Sequence, residues 1–279
     1  MASMENMTQS AARVLVIGAT GYAGRHVARA FAEAGYRVSA LRRPGGRPVP
    51  ERYHAVPGDL ADPPSLTAAA RGFDLVVHVG RIEGDVERRG AEALLASGAR
   101  VIYTSGSDVL GSGHVAEDDV PEPPPIVAWR AAVERAVLDG GGILVRPGMI
   151  YGDGGGVVDE MLIPMADRIG AGVYVGEPGV CWAAVHVADL ARLYLAVAEQ
   201  AGPGTAWHGV SETVTVDALA RAVGRGVAVS WPADAPVPPE IAEIGPLMTM
   251  SQRVSAAKTR RELGWEPRRE TLEEYLAKR

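Results

Sequence analysis

The sequence predicts an α/β fold: a doubly wound parallel sheet with helices on both faces, followed by a smaller C-terminal lobe. Three observations predict it. The apolar run Val14–Ile17 stops at Gly18, and Arg25–Ala34 beyond it carries apolar residues at helical spacing. Short apolar runs then alternate with amphipathic stretches as far as Pro147, the pattern of buried parallel strands joined by crossover helices. Past Pro147, short helices, the glycine loop Gly152–Gly156 and the proline cluster Trp231–Pro239 replace that alternation.

In chain order, Val14–Ile17 reads as a buried strand, Gly18–Gly24 (GATGYAG) as a tight turn, and Arg25–Ala34 as a helix. This arrangement turns backbone N–H groups and a helix N-terminus toward a pyrophosphate, so the residues themselves point to a dinucleotide. Gly18 serves the turn, Gly21 the close approach of phosphate, and Gly24 helix–strand packing. Further strands are predicted at Arg37–Leu41, Tyr53–Val56, Asp74–Val79, Arg100–Thr104 and Gly142–Arg146. Helices fit Ser65–Ala70, Val86–Ala96 and Val127–Leu138. The stretch Asp119–Pro125 is too rich in proline for helix or central strand and reads as a loop. The expected organisation is a disordered tail over 1–12 and a dinucleotide-binding core over 13–150. Residues 151–279 form mainly a substrate-binding lobe, with some segments returning to the core.

The bulk composition excludes several classes. At 279 residues, 47% hydrophobic and 22% charged, the chain suits one large soluble domain with a small appendage. A net charge of −6 gives no electrostatic reason to expect nucleic acid or an anionic membrane as partner. The single cysteine, Cys181, lies in an apolar run and reads as a buried, inert thiol, without disulfides or a cysteine zinc cluster. No stretch reaches the roughly 18 apolar residues of a membrane helix, and the N-terminus lacks the features of a signal peptide, so a cytoplasmic location is expected. His114 and Glu117–Asp119 have no metal-ligand spacing, so no metal is expected.

From Val14 to Leu276 the chain resembles the extended short-chain dehydrogenase/reductase superfamily, the group that includes the NAD-dependent epimerases and dehydratases. The resemblance rests on GATGYAG at Gly18–Gly24, Gly58-Asp59-Leu60, Val76-Val77-His78-Val79-Gly80, Val145–Gly152 (VRPGMIYG), Val185–Leu190 (VHVADL) and Lys258–Pro267 (KTRRELGWEP), all in the family's order. It implies a Rossmann-type doubly wound parallel sheet with a small C-terminal substrate-binding lobe. It also implies cofactor contacts from Gly18, Thr20, Gly21, Tyr22, Ala23, Gly24, Asp59, Leu60, Val79, Gly80, Arg130 and Pro147. The bound cofactor is expected to be NADP: Arg42 stands 18 residues after Gly24 with Arg43 beside it, and no acidic residue occupies that strand edge. Guanidiniums there suit a 2′-phosphate, whereas an acidic residue would bind the ribose hydroxyls of NAD.

The family's redox chemistry rests on a Ser/Thr and a YxxxK pair, and this chain departs from all three. No YxxxK occurs; Ile126 aligns with the tyrosine, Arg130 with the lysine, and Gly106, between Ser105 and Ser107, with the Ser/Thr. A lost proton donor costs about 10²- to 10⁴-fold, so another group or another reaction is required. Asp108 and Ser107 stand where the superfamily's sugar dehydratases carry an acid/base pair, and Ser105 and Tyr151 are further catalytic candidates. His186 aligns with a histidine that the family uses mostly in a structural role. Sugar-nucleotide enzymes of the group carry an arginine four residues before it; here that position is Trp182, which suits a neutral, apolar or aromatic substrate. Gly106, Met149 and Trp182 are the expected substrate contacts.

The expected function is an NADP(H)-dependent reductase of a small, largely apolar or aromatic carbonyl or iminium substrate in specialised metabolism. An iminium already carries the charge that protonation would supply. One alternative is a redox-neutral cyclase, isomerase or dehydratase using Asp108 or Ser107 as acid/base. The other is a non-catalytic NADP-sensing protein. A homodimer is expected through Val86–Ala96 and Val127–Leu138, whose alanines (Ala91, Ala93, Ala96; Ala128, Ala131, Ala132, Ala136) would allow close approach.

Overall fold

The computed structural model describes residues 11–80, 84–236, 239–242 and 244–279. The chain opens with β1 (Arg13–Ile17), α1 (Tyr22–Glu33), β2 (Arg37–Arg42), β3 (His54–Pro57), α2 (Pro63–Ala70), β4 (Leu75–His78), α3 (Asp85–Leu95) and β5 (Arg100–Thr104). It continues with β6 (Gly113–Val115), α4 (Trp129–Asp139), β7 (Ile143–Pro147), β8 (Met149–Tyr151), α5 (Ile163–Ile169), β9 (Gly172–Val175), β10 (Cys181–His186) and α6 (Val187–Gln200). The last elements are β11 (Ala206–Gly209), β12 (Glu212–Thr215), α7 (Val216–Val223), β13 (Ala228–Trp231), β14 (Gln252–Val254), α8 (Ala257–Leu263) and α9 (Leu272–Ala277).

Seven strands form one parallel sheet in the order β3-β2-β1-β4-β5-β7-β11. The strand order reverses between β1 and β4, the switch point at which such sheets bind ligands. Every residue of β4 is buried, as a strand covered on both faces requires. Helix α1 buries Gly24, Val27, Ala28 and Phe31 against the sheet, one stripe at helical spacing.

Beyond Pro147 the chain builds a lobe from two small sheets, β12-β10-β8 and β13-β9. Its own core is formed by Tyr151, Leu162, Met165, Val173, Val216, Leu219 and Tyr275. Two segments return to the large domain: β11 joins the main sheet beside β7, and β14 pairs with β6. Side-chain caps fix the helix starts here. His186 Nδ1 accepts from Ala188 N at 3.1 Å, Thr215 caps α7, and Thr271 with Glu274 forms a capping box on α9.

Several predicted bounds shift. Helix α1 begins three residues before Arg25, because the glycine turn already adopts helical geometry at Tyr22. The helix expected from Val127 is divided: Pro125–Val127 forms a 3-10 turn, and α4 starts at Trp129. Ala91 and Ala93, expected on a dimer seam, are buried within their own chain, where α3 packs on the sheet. Of the tail expected over 1–12, Ala11 and Ala12 alone lie among the described residues, and Ala12 O accepts from Arg37 N at 2.9 Å. No helix among the described residues is long and apolar enough to cross a membrane.

The C-terminal segment is tied to the core by buried polar groups. Glu117 Oε1 accepts from Thr259 N at 2.8 Å and Thr259 Oγ1 at 3.0 Å, while Arg146 makes a two-pronged pair with Glu134 at 2.7 and 3.0 Å. His208 lies beside them, fully buried, with Nδ1 2.7 Å from Ser255 O. Burial pushes its pKa down to about 4. The unfolded imidazole titrates near 6.5, so between roughly pH 6.5 and 4 the unfolded chain binds more protons and stability falls as pH falls. His78 and His186, lowered by burial as well, act in the same direction. We therefore expect the thermal midpoint to drop between pH 7.5 and pH 5. His208→Gln should narrow that difference, even if it lowers the midpoint at both values; an unchanged difference contradicts the assignment to His208.

Candidate active site

At the switch point, Gly18 has φ +86°, and a Cβ there would lie 2.8 Å from Gly80 N. A Cβ at Gly24 would lie 2.0 Å from Gly18 O, so glycine is what lets α1 sit on the turn. At Gly21 the nearest contact is Gly18 O at 3.2 Å, leaving that surface open to a ligand. No side chain caps α1. The first-turn amides of Tyr22, Ala23 and Gly24 therefore have neither an intrahelical acceptor nor a side-chain one, which suits a pyrophosphate.

Ala23, Val79, Gly80, Ser105, Arg130 and Pro147 line a cavity of about 180 Å³ beside this turn. Leu60 closes on Gly80 from the side: its Cδ1 is 3.1 Å from where a Cβ of Gly80 would stand. Thr20 is half-buried within the turn. Asp59 Oδ1 accepts from Ala61 N at 2.9 Å, and Asp59 N donates to Ser65 Oγ at 3.0 Å, which fixes its loop. Arg42 and Arg43, at the end of β2, are exposed and without an ion pair among the described residues. These groups fit a pyridine dinucleotide, which supplies a transferable hydride when bound.

A second cavity of about 360 Å³ adjoins the first and shares Ser105, Arg130, Pro147 and Ile150 with it. One wall is apolar: Met149, Ile150, Val157, Trp182, Leu247 and Met250. Trp182 is anchored by its Nε1, which donates to Leu247 O at 2.9 Å. The polar end consists of Ser105, Ser107, Asp108, Arg130 and Gln252. Gln252 Nε2 holds Ser107 O and Gly111 O, each at 2.7 Å, so this loop is braced from the C-terminal segment.

Arg130 Nη1 donates to Asp108 Oδ1 at 3.3 Å, and the guanidinium lies over the Trp129 ring at 5.3 Å. Arg130 Nε is buried without a partner among the described residues. An unpaired buried donor costs about 1–3 kcal/mol, which fits a side chain placed for a ligand rather than for stability. Ser105 is 8% exposed and its Oγ has no partner among the described residues either.

The cavities thus bring together Ser105, Gly106, Ser107, Asp108, Arg130, Met149 and Trp182 as the sequence predicts. They do not include Tyr151. Its hydroxyl is instead held inside the lobe core, 2.6 Å from Glu212 Oε1 and 2.9 Å from Glu270 O. Burial, foremost, raises its pKa well above 10, so it is neither placed nor poised for proton transfer. Ile126 sits on the 3-10 turn, 38% exposed and outside both cavity linings.

Sequence reasoning missed a buried cluster against the smaller cavity. Tyr103 OH donates to Glu87 Oε1, His78 Nε2 is 3.4 Å from the same oxygen, and the His78 and Tyr103 rings stack at 4.8 Å. The signal was present: Glu87 shares a helical face with Gly90, Ala91 and Leu94, all buried. Gln252, Leu247 and Met250 were missed because that stretch has no regular periodicity.

Fold and site together define an α/β protein built around a dinucleotide cleft with an attached apolar pocket. A sequence profile described as NAD dependent epimerase/dehydratase family matches residues 14–208, and the chain belongs to that family, within the extended short-chain dehydrogenase/reductases. The family is one of NAD(P)-dependent enzymes. The chain is 28% identical to the uncharacterized protein YLL056C of Saccharomyces cerevisiae, covering 91% of this chain and 94% of that one. It is 33% identical to the ceramide reductase of Caulobacter vibrioides over 50% of this chain and 47% of that protein. It is 27% identical to the 2-alkyl-3-oxoalkanoate reductase of Stenotrophomonas maltophilia over 71% and 68%. Among solved structures, MoeE5 in complex with UDP-glucuronic acid and NAD superposes with a TM-score of 0.76 at 23% identity, covering 95% of this chain and 96% of that one. That likeness is one of fold.

Proposed function

We propose that the protein is an NADP(H)-dependent reductase of a small, largely apolar or aromatic carbonyl or iminium compound in specialised biosynthesis. The observation that carries this reading is an apolar cavity adjoining the one beside the glycine turn, the two sharing Ser105, Arg130, Pro147 and Ile150. A substrate lying along Met149, Trp182 and Leu247 would bring its polar end to that junction. Trp182 in place of a phosphate-gripping arginine supports a neutral substrate. Arg42 and Arg43 support NADP over NAD. The names of two relatives, a ceramide reductase and a 2-alkyl-3-oxoalkanoate reductase, are consistent with reduction of lipid-like molecules. The redox-neutral alternative uses Asp108 or Ser107 as acid/base; Arg130 occupies Asp108 Oδ1, which disfavours Asp108 in that role.

The test is loss of NADPH absorbance at 340 nm with a panel of medium-chain ketones, 3-oxo acids, aryl ketones and cyclic imines. Oxidation with at least one apolar member is expected. Tight NADPH binding without oxidation of any member would instead support a sensing role.

A further inference from the structure

Resting on the reductase reading, we infer that Gly106, Asp108 and Arg130 form one unit in which the Arg130 guanidinium grips the substrate oxygen, replacing the hydroxyl relay usual in the family. Arg130 lines both cavities. Asp108 and the Trp129 ring hold it in place, at 3.3 and 5.3 Å. Among the described residues no acceptor other than Asp108 meets its guanidinium, so Nη2 retains donors for a ligand.

Gly106 shows that the three positions depend on one another. Its backbone is extended, with φ −159° and ψ 151°, a conformation open to any residue. Glycine is therefore not demanded by the backbone. The volume beside it is taken by the pair: a Cβ at 106 would lie 2.4 Å from Arg130 Nη1 and 2.5 Å from Asp108 Oδ1, the ends of two flexible side chains that would have to swing aside. The Ser or Thr usual at this position would displace the ion pair. A side chain at 106 and the pair in its present position therefore compete for the same volume.

The chemistry follows from what arginine can and cannot do. Reduction adds a hydride from the dinucleotide to the carbonyl carbon, oxidising the dinucleotide by two electrons. The C=O π pair moves to oxygen, and the oxygen then takes a proton from water. Arg130 stays charged throughout and supplies no proton. Its part is to hold the oxygen as negative charge develops, an interaction typically worth about 10²- to 10³-fold in rate. A lysine there would be a point charge that cannot keep Asp108 and a substrate oxygen in one plane.

Octanoate, an apolar chain ending in an oxyanion, probes the unit without turnover. Calorimetry on the protein–NADP⁺ complex should detect its binding. Arg130→Met should weaken that binding by about tenfold or more, the worth of a charged hydrogen bond. Gly106→Ser should weaken it similarly, and the double variant should be no worse than Arg130→Met alone. Arg130 also lines the dinucleotide cavity, so NADP⁺ affinity is titrated in each variant, and the loss of octanoate binding should exceed any loss of NADP⁺ binding. Failure of the wild type to bind octanoate, unchanged affinity in Arg130→Met, or a parallel loss of NADP⁺ binding overturns the inference. Turnover of octan-2-one, followed alongside, separates the two readings. Octanoate bound through Arg130 without any hydride transfer keeps the unit and removes the reductase reading. Arg130→Met reducing the ketone as fast as wild type keeps the reductase reading and removes the unit.

Discussion

Replacing Arg42 and Arg43 together with alanine is expected to raise the dissociation constant for NADPH by about 100-fold while moving that for NADH by less than about threefold. The asymmetry is the diagnostic part. Both guanidiniums stand at the end of β2, exposed and without an ion pair among the described residues, so their removal breaks nothing that holds the fold. Two charge-assisted contacts to a phosphate dianion are each typically worth about 1.5–3 kcal/mol, and NADH offers no phosphate at that position. Fluorescence titration of both nucleotides against wild type and variant reads the difference. Equal affinity of the wild type for the two would remove the proposed preference.

Gly24→Ala is expected to abolish binding of either nucleotide, with a loss of about 100-fold or more, because it acts on the turn itself and not on one phosphate. The added Cβ would stand 2.0 Å from Gly18 O, which is backbone and cannot swing aside. Either α1 lifts from the turn or Gly18 moves toward Gly80, and both displace the amides that face the pyrophosphate. Gly202→Ala is a suitable control, since a Cβ there meets nothing within 4 Å and its backbone is not in the left-handed region. A Gly24→Ala protein that binds NADPH like wild type would contradict the geometry of the turn.

The large sheet was legible in the sequence because its strands are buried on both faces and its helices show a single apolar stripe. Val14–Ile17 and Arg100–Thr104 were placed to within a residue for that reason. Strands β6 and β14, three residues each, were not predicted: so short an element carries too few alternations to be read, and each exists only because the other pairs with it. The same physics divides the site. Glycines whose side-chain space is filled by backbone announce themselves by spacing, and so did the Ser105–Asp108 segment. The Asp108–Arg130 pair joins residues 22 apart that meet only through the fold, and no periodicity encodes that meeting. Tyr151 shows the converse error. A motif position next to the cofactor segment invited a catalytic role, yet the lobe core takes its hydroxyl through Glu212 and Glu270.

The proposed chemistry makes NADPH a consumed reductant rather than a fixed structural element, and isotope transfer tests that most directly. Wild-type protein would be given NADPH carrying deuterium at C4 of the nicotinamide, prepared separately in each stereochemical form, with each ketone that the protein converts to a product. The account predicts that one form delivers its deuterium to the former carbonyl carbon, raising the product mass by one unit, and that the other delivers none. A product formed without deuterium from either form, with the nucleotide recovered in its reduced state, would contradict it.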